Sequence, residues 1–182
     1  MSDVAGKTDQ KIIQIVGYKN SGKTTLISRL IPILNGMNYR VAVIKHDVHG
    51  FDSDVEGTDT YKLRQAGAVA TAITSPWRTA IMEERETSVQ SIIDHFQEYE
   101  LVILEGFKRE DYPKLVLVTS AEDMKLVREL SQVIGIVYRG LDDRERNDLL
   151  AMSSEEGLSV FEINQIKEIV SFLIGIDRGQ CS

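Results

Sequence analysis

The stretch KIIQIVGYKNSGKTTLISRLIPILNGM, residues 11–37, decides how the rest of the chain is read. Lys11 to Val16 is a short apolar run rich in β-branched residues, the pattern of a strand buried on both faces. Gly17-Tyr18-Lys19-Asn20-Ser21-Gly22-Lys23-Thr24 then has the spacing G-x-x-x-x-G-K-S/T. Leu26, Leu30, Ile33, Leu34 and Met37 recur at helical spacing, and Asn35-Gly36 supplies a stop signal. Strand, glycine loop and helix in that order predict a loop whose backbone amides cradle phosphate oxygens. The residue types suit the chemistry: Gly17 and Gly22 permit the tight turns, and the helix start adds a positive charge of roughly half a unit. Lys23 is expected to reach the β- and γ-phosphates of a nucleotide, and the Thr24 hydroxyl to sit on Mg²⁺. A chance glycine turn is the alternative, and the correct flanks on both sides argue against it.

Composition narrows the partners. A chain of 182 residues has room for one sizeable core, expected over residues 11–176 between a polar arm (1–10) and a short tail (177–182). A net charge of −7 opposes sequence-independent binding to a phosphate polymer, so nucleic acid is not an expected partner. The only cysteine, Cys181, leaves no disulfide within the chain and fits a reducing cytoplasm. It reads as an incidental tail residue before it reads as a reactive thiol. No stretch has the length of a membrane span.

Beyond the first helix, with Pro32 predicted to kink it, Arg40 to Lys45 reads as a second buried strand. Thr58 to Gln65 reads as a short helix capped by Thr58 and stopped by Gly67, and Ala68–Thr74 and Arg78–Met82 as a third and a fourth strand. A helix follows with Val89, Ile92, Ile93 and Phe96 on its apolar face. Leu101–Leu104, Leu115–Val118, Val133–Tyr138 and Val160–Ile163 complete the strands, with helices over 121–130 and 166–174. Strands alternating with helices predict an α/β domain of three layers around a mostly parallel sheet, its ligand lying beyond the carboxyl ends of the strands. Three polar segments follow strand ends there: Gly17–Thr24, His46–Asp59 and Glu105–Lys114. Their convergence on one sheet edge is the topological expectation.

Glu105 ends a fully apolar strand, the position of an acid that holds the Mg²⁺ shell or orients an attacking water. A strand-end carboxylate capping a turn is its plainer role. The loop after the second strand carries His46, Asp47, His49, Asp52, Asp54 and Asp59, a density that invites a transition-metal reading. A loop sensing the γ-phosphate through Mg²⁺, with Asp54 nearest the metal, is the preferred reading, and a solvated acidic loop the third. Lys108 and Arg109 are open between phosphate, an acidic partner and solvent. No N/T-K-x-D box specifies guanine; Asp142 of Arg139-Gly140-Leu141-Asp142 is placed to accept from a guanine edge, or forms a plain surface turn.

Taken together, GYKNSGKTTL (17–26), VAVIKHDVHGFDSD (41–54), DTYKLRQAGA (59–68) and LEGFK (104–108) resemble the molybdopterin-guanine dinucleotide biosynthesis protein B family, MobB. The combination of KH-x-x-H-x-F-x-x-D with a later EGFK is the specific part. Gly50 stands where some members carry an acid. The resemblance implies a GTP-binding adapter of low GTPase activity, a homodimer acting beside the nucleotidyltransferase that attaches GMP to molybdopterin, in the service of molybdoenzyme maturation. It carries Gly17, Tyr18, Lys19, Asn20, Ser21, Gly22, Lys23, Thr24 and Thr25 over as the nucleotide loop, and His46, His49, Asp54, Asp59 and Glu105 as further site positions. GTP and Mg²⁺ are the implied ligands, with molybdopterin or molybdopterin guanine dinucleotide as a further one.

Two other functions compete. A small-molecule kinase shares the same loop but needs an acceptor pocket, a general base and an arginine-rich lid, of which Arg144 and Arg146 are the nearest trace. A GTP-dependent metal or cofactor insertion chaperone would use the His/Asp loop to hold its cargo. Arg64 and Arg78 are the nearest transition-state arginines, and neither lies in a recognisable finger motif, so hydrolysis is expected to be slow.

Overall fold

The computed structural model describes residues 10–47 and 50–176. Residues 1–9 of the arm, His49, and the tail with Cys181 lie outside the described residues. In chain order the elements are β1 (Lys11–Val16), α1 (Lys23–Gly36), β2 (Val41–Lys45), α2 (Asp59–Gln65), β3 (Ala70–Ser75), β4 (Arg78–Glu83), α3 (Val89–His95), β5 (Leu101–Glu105), β6 (Lys114–Val118), a 3₁₀ turn (Ala121–Asp123) leading into α4 (Met124–Glu129), β7 (Val133–Tyr138), α5 (Asp143–Glu156), β8 (Ser159–Glu162) and α6 (Ile166–Gly175). They fall into two compact units. One comprises the chain up to His46 and from His95 onward, the other Asp47–Asp94.

The first unit is built on a six-stranded sheet in the order β2-β5-β1-β6-β7-β8, every pair parallel. Its central strands are apolar on both faces because helices cover both. Ile13 and Ile15 of β1, Leu101 and Ile103 of β5, and Leu115 and Leu117 of β6 pack with Leu26, Leu30 and Leu34 of α1 and Ile169, Val170 and Leu173 of α6. Val16, Val116, Val118 and Ile136 on the opposite face pack with Leu126 and Val127 of α4 and Leu149 and Met152 of α5. Alternate residues of one strand thus feed two cores, and each enclosed Leu or Ile contributes about 1.5–3 kcal/mol. The result is the three-layer α/β architecture with a parallel sheet that the alternating elements predict. Lys11 ties the first strand to the last helix, its ammonium donating to the carbonyls of Ile174 and Ile176.

α1 continues through Pro32 to Gly36, and the left-handed residue beyond it is Asn38 (φ 63°) rather than Gly36. β2 is the sheet's outermost strand on one side, so only alternate residues are enclosed: Ala42 and Ile44 are buried while Val43 is exposed. That corrects the expectation of a strand buried on both faces, which VAVIK cannot distinguish from an edge. α5, absent from the sequence reading, starts with a capping box. The Asp142 carboxylate accepts from Glu145 N (2.8 Å) while Glu145 Oε2 accepts from Asp142 N (3.1 Å). Asp142 is therefore a helix cap, with Oδ1 engaged by Glu145 N.

In the second unit β3 and β4 pair antiparallel in a hairpin of their own, separate from the parallel sheet. Pro76 and Trp77 form its tip, where Ser75 Oγ accepts from Arg78 N at 3.1 Å. Thr58 caps α2 by accepting from Tyr61 N, and Gly67 (φ 103°) ends the turn, as their residue types predict. Arg64 is the unit's hub: its guanidinium donates to Glu84 (2.7 Å), Asp52 (2.9 Å) and Asp54 (3.4 Å).

Candidate functional site

β5, β1 and β6 are neighbours in register, so the segments that follow β1 and β5 leave the sheet side by side. Ile15 lies opposite Glu105, and Gly106 N donates to Ile15 O at 3.0 Å. β2 adds Lys45 opposite Glu105 on the other side, and His46 N donates to Glu105 O at 3.0 Å. The loop Gly17–Gly22, Glu105 and His46 thus share one sheet edge because parallel strands end together.

The loop itself is a backbone cradle. A Cβ on Gly17 would stand 2.7 Å from Ser21 Oγ and 3.1 Å from Leu117 O, so no larger residue fits. Gly22 (φ 100°) caps α1 with no side chain bonded to the helix's first amides. Those amides remain as donors for an anion at the positive end of the helix. Ser21 is buried, and its hydroxyl has no partner among the described residues, a cost that a ligand oxygen would relieve. Asn20 stands at φ 63° between them, and Arg139 Nη2 donates to Asn20 O at 2.8 Å. Tyr18, Lys19 and Thr25 are exposed at the rim, and the carbonyl of Thr25 accepts from Ser28 Oγ at 2.9 Å.

Lys23, the first residue of α1, turns its ammonium back over the loop and donates to Tyr18 O (2.8 Å) and Gly17 O (3.3 Å). Burial pushes its pKa below the ordinary value; the Glu105 carboxylate opposes that shift, and the neighbouring Lys108 and Lys45 charges reinforce it. Thr24 Oγ1 donates to Glu105 Oε1 at 2.8 Å, and Lys45 Nζ stands 3.9 Å from the same oxygen. Glu105 is buried, so this hydroxyl–carboxylate pair is a fixed feature at the foot of the loop. A hard divalent cation takes such oxygen donors, and Thr24 with Glu105 is the set that fits Mg²⁺ here.

The segment after Glu105 is held by two enclosed polar side chains. Gln14 donates to Phe107 O (2.6 Å) and Gly106 O (3.4 Å) and accepts from Tyr112 N (3.1 Å). Lys114, fully buried, donates to Glu110 O (2.6 Å) and Tyr112 O (3.1 Å). Phe107 adopts φ 53°, and its ring lies 4.8 Å from that of His46. Lys108 is carried forward, its ammonium 4.3 Å from the centroid of the Tyr18 ring.

The acidic loop divides differently from the expectation. Asp54, expected nearest the metal, belongs to the second unit, and its carboxylate is occupied there. Oδ1 accepts from Val55 N, Thr58 Oγ1 and Thr60 Oγ1, and Oδ2 faces Arg64. Asp59 is the exposed first residue of α2, 3.3 Å from Lys62. His46 is exposed against Phe107, and among the described residues no three His, Cys, Asp or Glu side chains are grouped to hold a metal ion. Sequence reasoning missed Gln14, Lys45, Lys114 and Arg139 as site residues. A glutamine inside KIIQIV and a lysine opening KLVLV, both polar in buried runs, were the available signals. Arg139 had none, being 119 residues from its partner.

Known proteins bear on this geometry. The family model for molybdopterin guanine dinucleotide synthesis protein B, MobB, matches residues 12–139. The molybdopterin-guanine dinucleotide biosynthesis adapter protein of Escherichia coli K12 is 32% identical over 176 residues, covering 91% of this chain and 98% of that one. The adapter protein of the same description from Haemophilus influenzae is 32% identical over 170 residues, covering 89% and 86%. The crystal structure of Bacillus subtilis MobB superposes with a TM-score of 0.72 at 29% identity, covering 90% of this chain and 96% of that one. The loop, the strand order and these likenesses agree, and the chain belongs to the MobB family.

Proposed function

We propose that the protein binds GTP with Mg²⁺ and works as an adapter in molybdopterin-guanine dinucleotide biosynthesis, hydrolysing the nucleotide slowly. The observation that carries the reading is the foot of the loop, where Thr24 meets the buried Glu105 carboxylate beside the Lys23 ammonium. Guanine as the base is supported by the relatives' names, which attach them to a guanine dinucleotide. The loop amides and Lys23 hold the phosphates, and Thr24 and Glu105 hold the metal shell. Bound Mg²⁺ would offset phosphate charge during hydrolysis. The Glu105 carboxylate also stands where it can orient a water.

Slow turnover is supported by where two of the arginines are committed. Arg64 is held by three carboxylates, and Arg139 donates to a loop carbonyl. A phosphate loop lacking a transition-state arginine turns over at about 10⁻⁴ to 10⁻³ s⁻¹. The protein then serves as a nucleotide-dependent partner for the molybdopterin nucleotidyltransferase and molybdoenzyme maturation proteins in the cytoplasm, as a homodimer. Molybdopterin or its guanine dinucleotide is the further ligand of the assembly.

Calorimetric titration with GTP and ATP, with and without molybdopterin, tests this directly. Tighter binding of GTP, and loss of binding in Lys23→Ala with an unchanged circular dichroism spectrum, are expected. Preference for ATP would move the protein to the kinase reading, and unchanged affinity in Lys23→Ala would reject the assigned site.

A further inference from the structure

Two lysines outside the glycine-loop motif converge on the groups that the motif itself uses. Lys45 closes β2, and its ammonium is 3.9 Å from Glu105 Oε1, the oxygen that accepts from Thr24. Lys108 lies three residues past Glu105, and its ammonium is 4.3 Å from the ring of Tyr18, whose carbonyl accepts from Lys23. Neither placement is a free tail finding a chance partner. Register sets Lys45 opposite Glu105, and the bend at Phe107 that carries Lys108 forward is pinned by the buried Gln14.

Three ammonium groups gather here. Lys45 stands beside the Glu105 carboxylate, and Lys45 and Lys108 both lie close enough to Lys23 to depress its pKa. In a chain of net charge −7, this is a concentration of positive charge at the mouth of a phosphate cradle. A half-exposed lysine 3.9 Å from a carboxylate contributes little to stability, so holding the fold together does not explain the arrangement. Flexible ammonium groups suit a phosphate approached as a point charge.

We propose that Lys45 and Lys108 form a subsite for a phosphate dianion at the Glu105 end of the loop, beyond the reach of the glycine-loop amides. Resting on the nucleotide reading above, the subsite takes the terminal phosphate of a bound nucleoside triphosphate, and the protein thereby distinguishes triphosphate from diphosphate. A phosphate monoester on a second ligand has the same chemistry and is the other source. Binding of this kind holds ground state and transition state alike, so it sorts nucleotide states without speeding hydrolysis.

The experiment compares wild type, Lys45→Gln, Lys108→Gln, the double variant, and Lys167→Gln, an exposed position of α6, as a charge control. Affinities are measured for a non-hydrolysable guanosine triphosphate analogue and for GDP, each with Mg²⁺. Inorganic phosphate is then titrated into the diphosphate-loaded and triphosphate-analogue-loaded proteins. Each single change is expected to weaken the triphosphate analogue about tenfold and GDP less than about twofold, collapsing the preference in the double variant. Phosphate bound by diphosphate-loaded wild type and lost in the double variant supports the same subsite. An unchanged preference, with phosphate bound to the triphosphate-loaded wild type and lost in the double variant, assigns it to a second ligand. Equal weakening of both nucleotides with phosphate binding untouched, or behaviour matching Lys167→Gln, overturns the subsite alone. Wild type that binds neither nucleotide rejects the nucleotide reading and the subsite together.

Discussion

Arg139 makes its contribution through a carbonyl. Its guanidinium donates to Asn20 O, fixing a left-handed residue between Gly17 and Gly22, and the rest of its head lies over Gly22. Arg139→Ala removes a charged hydrogen bond from the loop and is expected to weaken triphosphate binding about tenfold, read by calorimetry, with secondary structure intact. Lys23 gives a pH dependence. Its pKa in the nucleotide-free fold lies below 10.5, chiefly from burial, so between the two values the unfolded chain holds more protons than the folded one. Its contribution to the stability of the nucleotide-free protein therefore rises with pH across that window. Affinity for phosphate runs the other way, falling as pH rises through the folded value and the ammonium deprotonates. Titrations just below pH 10.5 in two buffers of different ionisation heat should show net proton uptake on binding, because phosphate draws the Lys23 pKa back up. Proton release would contradict the contact. Lys23, Thr24 and Glu105 were legible because a spacing and an apolar run mark them. Arg139 and Gln14 were not, because their partners are distant in sequence and their types are common.

Among the elements, α5 was passed over although its start was written in the chain. Asp142-x-x-Glu145 is a capping-box signature, but DRERNDLLAMSSEE encloses only Leu149, Met152 and Ser153, too thin an apolar stripe to register as periodicity. Asp142→Ala is expected to lower stability by about 1 kcal/mol in denaturant titration, with nucleotide affinity unchanged. Loss of guanine preference in that variant would return Asp142 to base recognition. β3 and β4 read as strands from sequence, but their pairing apart from the parallel sheet does not. Periodicity reports that a segment is extended, whereas strand partners are set by connections, and a two-residue tip at Pro76-Trp77 dictates an antiparallel hairpin. β1, β5, β6 and β7 were easier, since runs such as LVIL and KLVLV fit only a strand covered on both sides.

At the scale of the molecule, the second unit offers apolar surface that its own fold does not cover. Val69, Ile73, Trp77 and Ile81 of the hairpin segment are all more than half exposed. Among the described residues each strand has one unpaired edge, the arrangement that a second chain completes. A homodimer formed through this hairpin predicts that Ile81→Lys shifts the sedimentation coefficient from dimer to monomer at micromolar concentration, leaving Lys23-dependent nucleotide binding in place. A dimer undisturbed by that change would exclude the hairpin as the contact. The clasp formed by Gln14 and Lys114 has a consequence of its own. Phe107–Tyr112 lies at the surface, where peptide hydrogens ordinarily trade with solvent within seconds. The Tyr112 amide and the carbonyls of Phe107, Glu110 and Tyr112 are tied to side chains rooted in the central strands, so Tyr112 N is expected to exchange only when the sheet itself opens. A surface amide with the slow deuterium uptake of a buried strand would show that Lys108 has a footing as firm as the core beneath it.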